Sequence, residues 1–197
     1  MPQSRRGVRR GPRKQRRLIH RHGRTHDQLD TSPSGATMIR IITPPDREGI
    51  LRLLRAARVF RDDELPVAAE LVDTFLERGP ASGYEAYCRD VGTIRPAGFI
   101  CFGPVPLTER SFDLYWLAVD PRAGRRGLGT ELVKYSETAV AHRGGGSLYI
   151  ETSSTPLYKT ARTFYEKRGF VREALLRDFY RPGDHKIIFV KRIPHTE

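Results

Sequence analysis

From Met38 onward, short apolar runs alternate with stretches whose apolar residues recur every three or four positions. Met38–Thr43 predicts a short strand, broken by Pro44-Pro45-Asp46, with Pro45 suited to the first turn of a helix. Leu51, Leu54 and Val59 then recur near helical spacing. Asp62 or Asp63 is placed to cap a second helix, striped by Leu65, Val67, Ala68, Leu71, Val72, Phe75 and Leu76 and ended by Gly79-Pro80. Tyr84–Arg89 and Ala97–Phe102 predict two strands joined near Val91–Arg95, and Phe112–Val119 predicts another. Leu128–His142 reads as a helix stopped by Gly144-Gly145-Gly146. Ser147–Glu151 reads as a strand and Tyr158–Lys167 as a helix. Phe170–Phe179 and Lys186–Lys191 predict a closing hairpin turned by Arg181-Pro182-Gly183-Asp184. The order is βααβββαβαββ, with no internal repeat. It predicts an α/β fold, a mixed sheet with helices on both faces, in one domain over 38–194.

Composition changes the picture mainly ahead of that domain. The net charge is +12. Residues 1–37 hold ten Arg or Lys against two acids (Asp27 and Asp30), so +8 belongs to this segment and +4 to the 160 residues that follow. So few apolar residues predict a disordered basic N-terminal extension. Such an arm can contact nucleic acid without sequence readout, through counterion release. Two plainer readings stand beside that one: a solvated extension, or a segment ahead of the native start, since Met38 is the only other methionine. No apolar run approaches the roughly 20 residues of a membrane span, and no apolar signal-peptide segment is seen; the expectation is a cytoplasmic protein. Cys88 and Cys101 sit in apolar, strand-like runs and read as small core residues, not a disulfide framework.

Residues 119–130, Val-Asp-Pro-Arg-Ala-Gly-Arg-Arg-Gly-Leu-Gly-Thr, carry the chemistry. An apolar strand leads in and a helix leads out. Such a turn leaves backbone N–H groups unpaired at a helix N-terminus, where they can hold phosphate. Gly127 and Gly129 admit close approach of a ligand, and Arg125 and Arg126 add charged donors. Gly124, Gly127 and Gly129 run G-x-x-G-x-G, which excludes the dinucleotide fingerprint, and no Gly-Lys-Ser/Thr triplet completes a P-loop.

The spacing resembles motif A of the GNAT superfamily of N-acetyltransferases, Arg/Gln-x-x-Gly-x-Gly/Ala, with Gly124 replacing the first residue and Arg122 or Arg125 placed to supply its donor. A second stretch, Ala161-Arg-Thr-Phe-Tyr-Glu-Lys-Arg-Gly-Phe170, is similar to the family's motif B. Read without the family, it is a helix with core residues Ala161, Phe164 and Tyr165 and with Gly169 at C′. The resemblance covers about Phe112 to Lys191 and implies transfer of an acetyl group from acetyl-CoA to a primary amine, by direct attack through a tetrahedral intermediate. It implies that Arg125, Arg126, Gly127, Leu128, Gly129 and Thr130 hold the pyrophosphate. Leu117, Ala118 and Val119 would pair with the pantetheine arm, a backbone N–H of Leu117 or Ala118 facing the thioester oxygen. Tyr158 and Tyr165 complete the cofactor site, with Tyr165 the proton donor to the thiolate.

For the general base the resemblance points to Glu151, which closes the strand before motif B; its connection to Tyr165 is about two residues longer than in ribosomal-protein N-terminal acetyltransferases. Tyr158 stands near the family's usual Asn. Asp113 and Tyr115 are rival bases, and Glu151 also reads as a strand-end carboxylate paired with an Arg. The acceptor pocket is expected between the second helix and the final hairpin, near Phe60, Asp63, Glu64, Tyr180 and His185, with Trp116 and Tyr115 as core or cleft lining. No metal is expected. A homodimer is a further expectation, since GNAT domains often pair. Two alternatives remain: a catalytically silent acyl-CoA-binding module, and a nucleic-acid-associated protein using its basic arm.

Overall fold

The computed structural model describes residues 38–123 and 127–196. The expected basic extension, residues 1–37, lies outside them, as do Arg125 and Arg126. The strands and α-helices follow in the predicted order: β1 (Ile39–Ile41), α1 (Arg47–Ala57), α2 (Leu65–Arg78), β2 (Glu85–Val91), β3 (Ile94–Pro104), β4 (Ser111–Val119), α3 (Leu128–His142), β5 (Gly146–Ser153), α4 (Lys159–Lys167), β6 (Val171–Arg181) and β7 (Asp184–Ile193).

The strands form one sheet in the order β1-β2-β3-β4-β5-β7-β6. Every neighbouring pair is antiparallel except β4 and β5, which run parallel. Two cores lie on opposite faces. Under α3 and α4, Ile100, Phe102, Leu132, Val133, Leu148 and Phe189 pack together. Under α1 and α2, Ile50, Leu53, Leu54, Val72, Phe99 and Cys101 do the same. Central strand β3 feeds both cores with alternate residues, which is why its sequence is a continuous apolar run. Cys88 and Cys101 are free and buried, and burial pushes the Cys88 thiol up to about 12.

Three local boundaries differ from the sequence pattern. Arg58 turns left-handed (φ 53°) and ends α1, so Val59 leaves the helix and lines a cleft. Glu64, not Asp62 or Asp63, stands at the N-cap of α2. Its Oε2 accepts the Arg61 N–H at 2.7 Å, closing the turn, while Asp63 accepts from Arg61 Nε at 3.0 Å. Tyr158 ends a one-turn 3-10 segment, Pro156–Tyr158, and α4 begins after it.

Two irregularities of β4 open the molecule. The strand pairs with β5 only over Ser111–Asp113, opposite Ser147–Tyr149. Beyond that the two parallel strands part, and among the described residues none of Leu114–Val119 pairs with a β5 residue. On its other side β4 bulges: Cys101 faces Trp116 and Phe102 faces Leu114, leaving Tyr115 as the extra residue. A bulge puts consecutive side chains on one face. Accordingly Tyr115 and Trp116 both pack toward α1 and α2, while Leu114 and Leu117 face the α3 side.

Candidate active site

The parting of β4 and β5 creates two adjoining clefts. The inner one, about 140 Å3, runs between the strands and is lined by Leu114, Leu117, Ile150, Thr152, Tyr158 and Tyr165 among others. The outer one, about 460 Å3, opens on the α2 side and is lined by Arg61, Asp63, Glu64, Asp113, Glu151 and Tyr180, with Tyr115 and Trp116 as its apolar wall. Glu64, Leu114, Tyr115, Trp116, Glu151 and Tyr180 border both.

The inner cleft holds polar groups that the protein does not use. Tyr165 on α4 is almost fully buried, its ring among Phe164, Phe170 and Phe189 at 5.6–6.1 Å. Its hydroxyl makes no hydrogen bond among the described residues, and burial pushes its pKa up to about 12. Thr152 on β5 is 6% exposed and its Oγ1 has no partner among the described residues. A buried hydroxyl without a partner costs about 1–3 kcal/mol, so an unpaired one at a cleft wall marks a place for a ligand.

Past the C-terminal end of β4 stands the N-terminus of α3, a helix of 15 residues. Gly127 caps it at φ 76°, and a Cβ there would meet nothing within 4 Å. No side chain caps the first backbone N–H groups of α3 among the described residues, and a side chain at Gly127 would enter the space before them. Gly129 serves packing instead: a Cβ would lie 3.4 Å from the Phe164 ring. Thr130 Oγ1 accepts from Arg168 at 3.3 Å.

The outer cleft is built from bonds already made. Glu151 is half exposed, and its carboxylate meets Lys186 Nζ at 2.6 Å. Lys186 in turn lies 3.7 Å above the Phe179 ring. The strand-end ion pair seen as the plain reading of Glu151 therefore exists, with a Lys in place of the Arg. Glu64 Oε2 accepts the Tyr158 hydroxyl at 2.5 Å as well as the Arg61 N–H. The Arg61 guanidinium reaches Asp184 at 3.9 Å. Asp184, 3% exposed, takes a 2.5 Å hydrogen bond from Ser153 Oγ. Asp113 is the exception. It is half buried and has no hydrogen bond or ion pair among the described residues, and burial, helped by the nearby Glu151 charge and opposed by Lys186, raises its pKa.

Of the residues picked from sequence, Leu117, Glu151, Tyr158 and Tyr165 come together at the inner cleft. The side chains of Ala118, Val119 and Leu128 point into cores, which leaves only their backbone for a ligand. Phe60, Asp63, Glu64 and Tyr180 line the clefts as expected. His185 does not: its Nδ1 accepts the Asp178 N–H at 2.9 Å and braces the hairpin. Arg61, Thr152, Ser153, Asp184 and Lys186 were not singled out. Asp184 alone carried a signal, as the last residue of the Arg-Pro-Gly-Asp turn. Among the described residues no group of His, Cys, Asp and Glu could hold a metal ion, and no helix is long and apolar enough to cross a membrane.

Comparison with known proteins gives this geometry its family. Residues 47–170 match the family model described as Acetyltransferase (GNAT) family. A protein from Desulfovibrio desulfuricans assigned to the GNAT family of acetyltransferases is 39% identical; the match covers 80% of this chain and 99% of that one, with a TM-score of 0.76. The ribosomal-protein-S18-alanine N-acetyltransferase from Escherichia coli shares the fold at 22% identity, covering 82% of this chain and 97% of that one, with a TM-score of 0.63. An aminoglycoside 6'-N-acetyltransferase complexed with coenzyme A does so at 24% identity, covering 81% and 99%, with a TM-score of 0.62. No curated protein matches the sequence. The chain belongs to the GNAT family of acetyltransferases.

Proposed function

We propose that this protein transfers the acetyl group of acetyl-CoA to a primary amine, the two substrates entering from opposite sides of the parted β4 and β5 strands. The observation that carries the reading is the pairing of clefts: one walled by unused hydroxyls, the other by carboxylates, meeting at the bulge of Tyr115 and Trp116. The residues present fit the co-substrate. The open N-terminus of α3 at Gly127 suits its phosphates, with Arg125 and Arg126 as neighbours in sequence. The free edge of β4 from Leu117 to Val119 suits its amide-bearing arm, as a peptide suits a sheet edge. Thr152 Oγ1 offers an unused hydrogen bond in the same passage, and the buried ring of Tyr158 completes its wall. When bound, acetyl-CoA supplies an activated acyl group as a thioester.

The chain's own groups then divide the work. Glu151 takes the proton lost by the amine as its nitrogen bonds to the acyl carbon. A backbone N–H of the bulged strand, at Leu117 or Ala118, stabilises the oxygen that gains charge. Tyr165 faces the departing sulfur. Burial pushes the phenol up to about 12, so it stays protonated and able to donate a hydrogen bond at working pH. Tyr165 therefore acts by hydrogen-bonding the sulfur as the C–S bond breaks, and solvent finishes the protonation.

Calorimetric titration with acetyl-CoA, with adenosine diphosphate as control, followed by thiol release in an amine panel, tests the reading. Saturable binding at one site per chain and amine-dependent thiol release are expected. Folded protein that binds no acetyl-CoA would overturn it, and binding without turnover on any amine would favour a silent acyl-CoA module.

A further inference from the structure

The 2.5 Å hydrogen bond from the Tyr158 hydroxyl to Glu64 joins residues 94 positions apart. Tyr158 stands just before α4, on the side of the motifs; Glu64 stands just before α2, on the far wall of the outer cleft. Tyr158 is 7% exposed, and burial together with the Glu64 bond raises its phenol pKa, so the hydroxyl remains a donor well above neutral pH. The Glu64 oxygen that accepts it also accepts the Arg61 backbone N–H at 2.7 Å. One carboxylate thereby fixes both the turn that leads into α2 and the partner across the cleft. Phe60, next to Arg61, lies against Trp116 with ring centroids 4.9 Å apart. Beyond Arg61 the chain of contacts continues to Asp184 at the turn of the β6–β7 hairpin and to Ser153 at the end of β5.

We infer that Tyr158 is a positioning residue for the acceptor: through Glu64 it holds the Phe60–Glu64 segment against Trp116 and so sets the shape of the outer cleft. The alternative role for this tyrosine is contact with the co-substrate, where its ring borders the inner cleft. The two roles move different constants. The acceptor role rests on the acetyltransferase reading above, but its structural part can be read without turnover.

The sequence contains a single tryptophan, Trp116, so intrinsic fluorescence reports on the wall that Phe60 covers. In Tyr158→Phe the ring and its packing stay while the donor goes. The expected result is a red-shifted Trp116 emission with at least twofold stronger acrylamide quenching in the free protein. With substrates, acceptor KM should rise tenfold or more while kcat and the acetyl-CoA Kd stay within about threefold. Glu64→Gln, whose amide oxygen can still accept the Tyr158 hydroxyl, should keep most of the wild-type fluorescence and acceptor KM, whereas Glu64→Ala, which also removes the acceptor of the Arg61 N–H, should shift both at least as far as Tyr158→Phe. The Tyr158→Phe, Glu64→Ala double variant should be no worse than Glu64→Ala alone, since the bond that Tyr158→Phe removes is already lost there. Circular dichroism and melting curves confirm that each variant is folded. A tenfold loss of acetyl-CoA affinity with unchanged acceptor KM would overturn the inference and make Tyr158 a co-substrate contact. Unchanged Trp116 fluorescence and quenching in Tyr158→Phe would overturn it even if no amine is turned over; in that event the absence of turnover alone would count against the acetyltransferase reading.

Discussion

The two clefts of this protein are prepared for their ligands in opposite ways. The inner cleft is defined by bonds that are missing among the described residues: the hydroxyls of Thr152 and Tyr165 have no hydrogen bond, β4 does not pair with β5 beyond Asp113, and no side chain caps α3. The outer cleft is defined by bonds already made: Lys186 with Glu151, Tyr158 and Arg61 with Glu64, Ser153 and Arg61 with Asp184. A neutral amide-bearing arm can be received by unused donors and acceptors, whose cost is recovered when it binds. Charged side chains left unpaired would instead be mobile and costly, so the outer wall holds them in pairs and leaves Asp113 as the carboxylate without one. The lesson is that one side recognises by vacancy and the other by a rigid frame.

Variants on the two sides should separate by which constant they move. The largest effect is expected from Tyr165→Phe: kcat falls by about 10²-fold, the upper range for a hydrogen bond to a group gaining charge, with acetyl-CoA Kd within twofold. Stopped thiol release and calorimetry measure the two. Because burial holds this phenol near 12, its ionised form is absent across neutral and mildly alkaline pH. The wild-type kcat profile should therefore show no descending limb near 10 from Tyr165, only one near 12. A limb near 10 that disappears in Tyr165→Phe would show that the co-substrate resolvates the site.

Next comes the pair of carboxylates. If Glu151 takes the amine proton, Glu151→Gln lowers kcat by about 10²-fold, and Asp113→Asn mainly raises acceptor KM. The reverse pattern would move the base to Asp113. The pH dependence sharpens the contrast. Asp113 has a raised pKa from burial and from Glu151, so as pH falls it loses its charge above the usual carboxylate range. If its charge holds the acceptor ammonium, acceptor KM rises in that acidic window, and Asp113→Asn abolishes the rise. Gly127→Val should act on the inner side alone. A β-branched residue at φ 76° costs about 1–3 kcal/mol, and its side chain enters the open space before α3. Acetyl-CoA Kd should rise roughly tenfold, with acceptor KM unchanged at saturating acetyl-CoA.

The inner cleft was largely legible in the sequence because it is local. Motif A and α3 are contiguous, Tyr165 lies within one helix, and apolar period gave the strands around them. The outer cleft was legible only as a neighbourhood. Asp63, Glu64 and Tyr180 follow from the family's arrangement, but the Tyr158–Glu64 and Arg61–Asp184 contacts span 94 and 123 positions. No periodicity encodes such pairings. The bulge at Tyr115 was equally hidden. Tyr115 and Trp116 break the alternation of β4, yet two aromatic residues in sequence also fit a strand buried on both faces. His185 failed as a cleft residue because a turn histidine can be satisfied by the backbone of its own hairpin, as it is by Asp178 N–H.

The smallest expected effect tests the idea of vacancy most directly. Thr152→Val keeps the shape of the side chain and removes the hydroxyl. For a group that is hydrogen-bonded in the free protein this change destabilises, by leaving its partner unsatisfied. Thr152 Oγ1 has no such partner among the described residues, so the free protein should keep or slightly raise its Tm. If the hydroxyl is reserved for acetyl-CoA, the same variant should weaken acetyl-CoA binding by about three- to tenfold, the worth of one neutral hydrogen bond of about 1 kcal/mol. Thermal unfolding with and without acetyl-CoA reads both signs in one experiment: the variant should melt at or above wild type alone and gain less when acetyl-CoA is added. A lower Tm in the absence of ligand would mean that the hydroxyl is satisfied inside the free protein, and Thr152 would then belong to the frame and not to the vacancy.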